Sequence, residues 1–427
     1  MIRERIIRKR NFLNRQVVAW AVYDCGNSAF ALSVLAVLYP LFLGSYWSAG
    51  DDGSTVTARL SLTTAMASII VAVLAPVLGA IADRGGYRKR FLFILAFFGA
   101  AATASLALLG EGAWFAALVL FLLASVGFYS ANVFYDSLIV DVTTPRYYSL
   151  VSSLGFSLGY IASALLLVGH VWMLRSPAEL GFVDINSVMK FTFASVAVWW
   201  LLFAIPLMFL VREKKSTRAV GVDSVRSAYQ GLIATFRDIR RYRAVYLFLI
   251  AYWFYIDGVF TVISMAVNFG QRLGFSDTDL VTALLITNFV GFPATLAYGF
   301  LGHRIGPKRA LYVGLAVYIV VGFWAVTLTE VRQFYAMAIT VGMVQGGVQG
   351  MSRSLYASLI PAEKSGEFFG FYNMMTKFAH VLGPLLVFMV TIVSDQPRYI
   401  LLALLPLFIL GALFLTRVRD PAIVRAA

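Results

Sequence analysis

A single cysteine, Cys25, is present in 427 residues. An intrachain disulfide is therefore impossible, and a cysteine-based metal cluster lacks its ligands. Charge is scarce as well: 13% of residues are Asp, Glu, Lys or Arg, where a soluble domain carries about 25%. Too little polar surface exists to cover a water-soluble globule of this size. Catalytic spacing is also missing. The chain has no Walker-type glycine-lysine loop for ATP, no His-Glu-x-x-His pair and no Gly-x-Ser-x-Gly elbow. Nothing argues for an enzyme, and neither a cofactor nor a metal is expected.

What the chain has in quantity is hydrocarbon. Hydrophobic residues make up 60% of it, and the mean hydropathy is +0.81. These values describe an integral membrane protein. A spanning helix needs roughly 20 apolar residues. Twelve runs qualify, near 17–44, 60–82, 91–109, 113–140, 148–170, 190–211, 244–270, 278–302, 309–329, 331–360, 366–394 and 397–417. None alternates with period two, so the fold expected is an all-α bundle and not a barrel. Residues 1–15 look like the basic flank of a signal peptide. The run after them is long enough to span and shows no clear cleavage site, which favours a retained first helix.

The net charge of +14 resides in short loops between apolar runs, a placement that suits topology control and anionic headgroups, not nucleic acid. The tail 1–15 carries six Lys/Arg against one acid, the 83–90 loop four against one, and the segment 212–243 nine against three. Alternate loops are neutral or slightly acidic. Positive-inside logic places both termini and 212–243 in the cytoplasm. The same segment divides the chain into a six-helix unit over 1–211 and another over 244–427. Within it, 223–243 has the pattern of an interfacial or solvated linker helix.

The halves repeat. "GAIADRGGYRKR" (79–90) returns 220 positions later as "GFLGHRIGPKRA" (299–310). Gly79 matches Gly299, Arg84 matches Arg304, Gly86 matches Gly306, and the basic pairs Arg88/Lys89 and Lys308/Arg309 fall in register. His303 breaks the match with Asp83. A weaker echo aligns Pro145 with Pro361. Six plus six repeats with binding at the midplane describe a secondary transporter.

Gly79, Asp83, Arg84, Gly86, Arg88 and Lys89 resemble the signature loop of the major facilitator superfamily. A narrower likeness runs through "WAVYDCGNSAF" (20–30), "YIDGVFT" (255–261), "QGGVQGMSRSLYASLIP" (345–361) and "GEFFGFYNMMTKFAHVLGP" (366–384). These blocks are similar to the vacuolar effluxer group, fungal autophagy-related amino-acid exporters with many bacterial relatives. Cys25-Gly26 and His303 depart from the group's pattern. The resemblance implies alternating-access transport, amino acids as a first substrate, and a bacterial plasma-membrane location. It also implies a cytoplasmic latch in which Asp83 caps the start of the eleventh helix around Ser365–Glu367. His303, near the start of the fifth helix, would meet an unfavourable dipole if protonated, so it is expected neutral and the second latch weaker.

Ionisable groups inside a span are costly and mark function by default. Asp24 lies in the first run with Tyr23, Asn27 and Ser28. Asp257 lies in the seventh with Tyr255. Lys377 lies in the eleventh with Asn373 and His380. Asp136 and Arg353 occupy equivalent depths in the fourth and tenth. One reading makes Asp257–Lys377 and Asp136–Arg353 buried ion pairs; another makes these groups proton sites or a clamp for a zwitterion. Asp136 and Arg353, near the cytoplasmic ends, fit a gating or packing pair. Gln345 and Gln349, four apart, are candidates for a cavity wall.

The expectation is a monomeric, lipid-embedded secondary transporter for a small polar or zwitterionic solute, with proton coupling. A lipid or lysolipid flippase on the same fold and a transport-inactive sensor or scaffold remain as alternatives.

Overall fold

A computed structural model describes residues 12–213, 242–379, 382–393 and 399–418. His380 and nearly all of the expected linker helix lie outside the described residues. The helices are α1 (Arg15–Trp47), α2 (Gly53–Gly85), α3 (Arg88–Leu108), α4 (Trp114–Val142), α5 (Pro145–Arg175) and α6 (Ile185–Leu210). They continue as α7 (Arg243–Arg272), α8 (Asp277–Ile305), α9 (Pro307–Thr327), α10 (Val331–Leu359), α11 (Ser365–Phe378, resumed as Leu382–Val393) and α12 (Tyr399–Thr416). Eleven of them are long and apolar enough to cross a membrane, and α10 is the exception. Its Gln345, Ser352, Arg353 and Ser354 are buried. A helix that keeps its polar groups inside the bundle does not need an apolar average.

Helix pairings repeat between the halves. Contacts α2–α4, α3–α4, α3–α6 and α1–α6 recur as α8–α10, α9–α10, α9–α12 and α7–α12. The halves meet chiefly along α2–α11 and α5–α8, with α4–α11 and α5–α10 adding to the seam. This is the twelve-helix, two-repeat architecture of the major facilitator fold.

The repeated loop has a local cause. Gly86 ends α2 with φ 62°, a left-handed turn that glycine adopts without strain. The basic residues beyond it then cap carbonyl ends. Lys89 Nζ donates to the carbonyls of Met208 and Val211 at the end of α6, at 3.0 and 2.6 Å. Lys308 Nζ donates likewise to Thr416 and Val418 at the end of α12, at 3.1 and 2.6 Å. A cation satisfies orphan carbonyls and the negative dipole end together. The basic pair recurs because each half must close its last helix.

Two helices depart from the continuous spans expected. In α1 the chain widens from α-turns to π-turns over Phe30–Leu38, just beyond Asp24, Asn27 and Ser28. In the run expected at 366–394 the first helical stretch ends at Phe378 with a turn at Ala379, and Leu382 and Gly383 give their N–H groups to Asp257 and not to a preceding helical turn. Pro384 sits in the first turn of the restart, where its missing N–H costs nothing.

Candidate functional site

A cavity of about 720 Å³ lies between the halves, within the range of about 300–1,000 Å³ usual for small-molecule sites. It extends away from the end that carries the basic loops: beyond the middle of the bundle its walls are Leu35 of α1, Phe269 of α7, Leu280 of α8 and Phe334 of α10. Asp24, Asn27, Ser28, Asp136, Gln345, Gln349, Arg353, Asn373 and Lys377 all line it.

Asp24 is 2% exposed. One carboxylate oxygen accepts from Asn27 Nδ2 at 3.4 Å and Ser28 Oγ at 3.2 Å; the other, Oδ2, has no hydrogen-bond partner. No described basic side chain comes within ion-pair distance of it. Lys377 is 7% exposed and likewise faces no carboxylate among the described residues. Its Nζ instead stands 2.7 Å from the centroid of the Tyr129 ring on α4.

The floor is an ion pair that ties five helices. Arg353 Nη1 on α10 meets Asp136 Oδ1 on α4 at 2.9 Å. Its Nε donates to Ser152 Oγ and its Nη2 to the Ser152 carbonyl, both at 2.8 Å. The guanidinium also lies over the rings of Trp20 and Phe156, 4.7 and 4.3 Å from their centroids. Asp136 Oδ2 takes a bond from Asn373 Nδ2 on α11 at 3.3 Å. Each of the three guanidinium nitrogens of this buried arginine meets an acceptor, which offsets its desolvation.

Below the floor the basic-loop end is closed. Asp83 accepts from the backbone N–H of Gly366 at 2.9 Å and of Glu367 at 2.8 Å. Gly79 makes this possible, since a Cβ there would overlap the Gly366 carbonyl. Arg88 gathers acids around the junction: Asp141 at 2.6 Å, Glu213 at 3.1 Å and Asp83 at 3.7 Å. It also donates to Ser365 Oγ across the seam. Arg84 occupies the last turn of α2.

The matching site in the second half has reversed polarity. His303 Nδ1 donates to the Arg146 carbonyl at 3.0 Å, and its ring stacks on Tyr147 with centroids 5.8 Å apart. A carbonyl partner needs a donor, which an ionised acid could not supply. Arg304 is exposed and Gly306 makes the turn, with φ 90°.

Three expectations are corrected. Asp257 does not pair with Lys377. Its carboxylate caps the restarted half of α11, accepting from Leu382 N at 2.9 Å and Gly383 N at 2.8 Å. The positive end of a helix thus takes the place of the expected ammonium. Tyr23 does not line the cavity; it is wholly buried and its hydroxyl accepts from Trp200 Nε1 at 3.3 Å. Tyr255 is likewise packed away, its hydroxyl paired with Ser352 Oγ at 2.7 Å. Tyr23 turns toward Trp200 of α6 and Tyr255 toward Ser352 of α10, so sharing a helix with a lining residue does not expose them to the cavity.

Tyr129, Asn132 and Tyr160 line the cavity and were not singled out from the sequence. Tyr160 accepts from Gln345 Nε2 at 3.1 Å, linking α5 to α10. A neutral amide inside a long apolar run, as at Asn132, is the signal that would have found one of them.

Residues 53–144 and 142–422 match the family described as "Vacuole effluxer Atg22 like". The MFS-type transporter YxiO of Bacillus subtilis is 36% identical over 408 residues, 95% of both chains. Autophagy-related protein 22 of Eremothecium gossypii is 23% identical, covering 90% of this chain and 87% of its own. Among solved structures, the proton:xylose symporter XylE superposes with a TM-score of 0.72 at 15% identity, covering 95% of each chain.

Proposed function

The chain belongs to the Atg22-like vacuole effluxer family of the major facilitator superfamily and is a membrane transporter, not an enzyme; we propose that it moves a small zwitterionic solute, an amino acid first, by proton-coupled alternating access. One observation carries the reading: a cavity walled by both halves that extends toward one end and is shut at the other by contacts between the halves. Moving those contacts to the opposite end of the seam would expose the same cavity to the other side.

Loop charge supports a cytoplasmic location for the closed end and for both termini, in a bacterial plasma membrane. The cavity then faces outward in this state. Asp24 suits the proton role, because it lines the cavity, forms no ion pair with a described basic side chain, and keeps one carboxylate oxygen without a hydrogen-bond partner. The pair Asp136–Arg353 suits the inner gate. The cavity is walled by a single chain, which supports a monomer in lipid as the working unit.

The test is counterflow. Proteoliposomes loaded with one unlabelled amino acid at a time are diluted into its radiolabelled form at trace concentration. Transient accumulation of label for at least one amino acid is the expected outcome. If the panel produces none while sugars or lysolipids do, the amino-acid reading fails.

A further inference from the structure

The polar part of the cavity is divided between the halves. The first half contributes oxygen acceptors that the protein does not satisfy: Asp24 Oδ2, Asn27 Oδ1 and Asn132 Oδ1. All three residues line the cavity. The second half contributes a cation, Lys377, buried and without a carboxylate among the described residues. A ring face attracts an ammonium, but less than an anion would. Buried acceptors left bare are costly too. Each wall is therefore incomplete in the complementary sense, acceptors on one side and a donor on the other.

The remaining charges add nothing to this division. Asp136 and Arg353 satisfy one another at the floor. Among the described residues no other Asp, Glu, Lys or Arg lines the cavity, and away from the floor Leu35, Phe260, Phe269, Leu280 and Val341 give it large apolar walls beside the neutral Ser264, Thr287 and Asn288.

We propose that Lys377 is the carboxylate subsite and that Asp24, Asn27 and Asn132 form the ammonium subsite for an amino acid with an uncharged side chain. This rests on the amino-acid reading above. Tyr129 holds the Lys377 ammonium while the site is empty and yields it to the substrate carboxylate. The bound zwitterion joins α1 and α4 of one half to α11 of the other. Its side chain points into the apolar part of the cavity, where a third charge would find no partner.

The test compares three probes by calorimetry on the purified full chain: leucine, leucine methyl ester and 4-methylvalerate. The ester keeps the ammonium and lacks the carboxylate charge; 4-methylvalerate does the reverse. Leucine should bind tightest, with each analogue weaker by roughly 10- to 100-fold, as for a lost hydrogen bond to a charged group. In Lys377→Met the leucine-to-ester ratio should fall to about one, while in Asn132→Ala the leucine-to-4-methylvalerate ratio should shrink. Thermal unfolding of each variant reports folding, and Lys377→Gln serves as a second variant.

An unchanged leucine-to-ester ratio in both lysine variants overturns the carboxylate subsite and leaves the amino-acid reading standing. If 4-methylvalerate binds as tightly as leucine and Lys377→Met abolishes both, the ammonium subsite and the amino-acid reading fall together. Failure of all three probes, with alanine and phenylalanine also silent, overturns the whole proposal.

Discussion

Asp83 of α2 caps the first turn of α11 at Gly366, 2.9 Å from carboxylate oxygen to backbone nitrogen, and so joins the halves at the basic-loop end. The second oxygen repeats the contact at Glu367. Two orphan N–H groups and a positive dipole end meet one carboxylate. The bond exists only when α2 and α11 are together, so it favours the closed form of that end over the open one.

Asp83→Asn removes the charge and one of the two acceptor oxygens. A loss of about 1–3 kcal/mol would raise the open population roughly 5- to 150-fold. In a Cys25→Ser background, Ser354→Cys reports the change, since Ser354 is buried at the seam against Ser149. Maleimide should label it faster in the Asp83→Asn chain. Equal labelling rates would remove Asp83 from the gate.

Arg353 and Asp136 form a buried pair whose members have different back-up. Arg353→Met strands Asp136 beside Asn373 alone, and breaking such a pair costs about 3–5 kcal/mol. The melting temperature of Arg353→Met should drop sharply. Adding Asp136→Asn should recover more than half of the loss, because the second change removes the stranded charge. A double variant no more stable than the single would mean that Arg353 acts through Ser152 and the aromatic rings.

Asp257 and Lys377 test the correction directly. As a cap on the second half of α11, Asp257→Ala should cost about 0.5–2 kcal/mol. Lys377→Met should leave stability unchanged or raise it, since it removes a buried charge that faces no carboxylate among the described residues. The two effects should add in the double variant. Recovery of stability in the double would restore the ion pair that the geometry excludes.

The uneven legibility of these residues has a physical explanation. Apolar length, loop charge and the 79–90 repeat report one-dimensional properties, and they gave the helix number, the two halves and the neighbourhood of Asp83. Depth in the membrane is also one-dimensional, which is why Asp136 and Arg353 could be matched. Azimuth around a helix is not. Asp257 and Lys377 share a depth, yet one faces the α11 restart and the other faces Tyr129. The break in α11 was hidden because hydropathy runs unbroken through 366–394; only Gly383-Pro384 marks it. Tyr129 gave no signal, as a tyrosine in an apolar run is ordinary.

The central claim is that solute and proton share the cavity containing Asp24, and one measurement addresses it most directly. Proteoliposomes carrying the parent or Asp24→Asn are loaded with the amino acid identified by counterflow, and net flux is followed with and without an imposed pH gradient. The account predicts that the gradient accelerates flux in the parent, has no effect in Asp24→Asn, and leaves amino-acid exchange in that variant measurable. A gradient response of equal size in both proteins would contradict it.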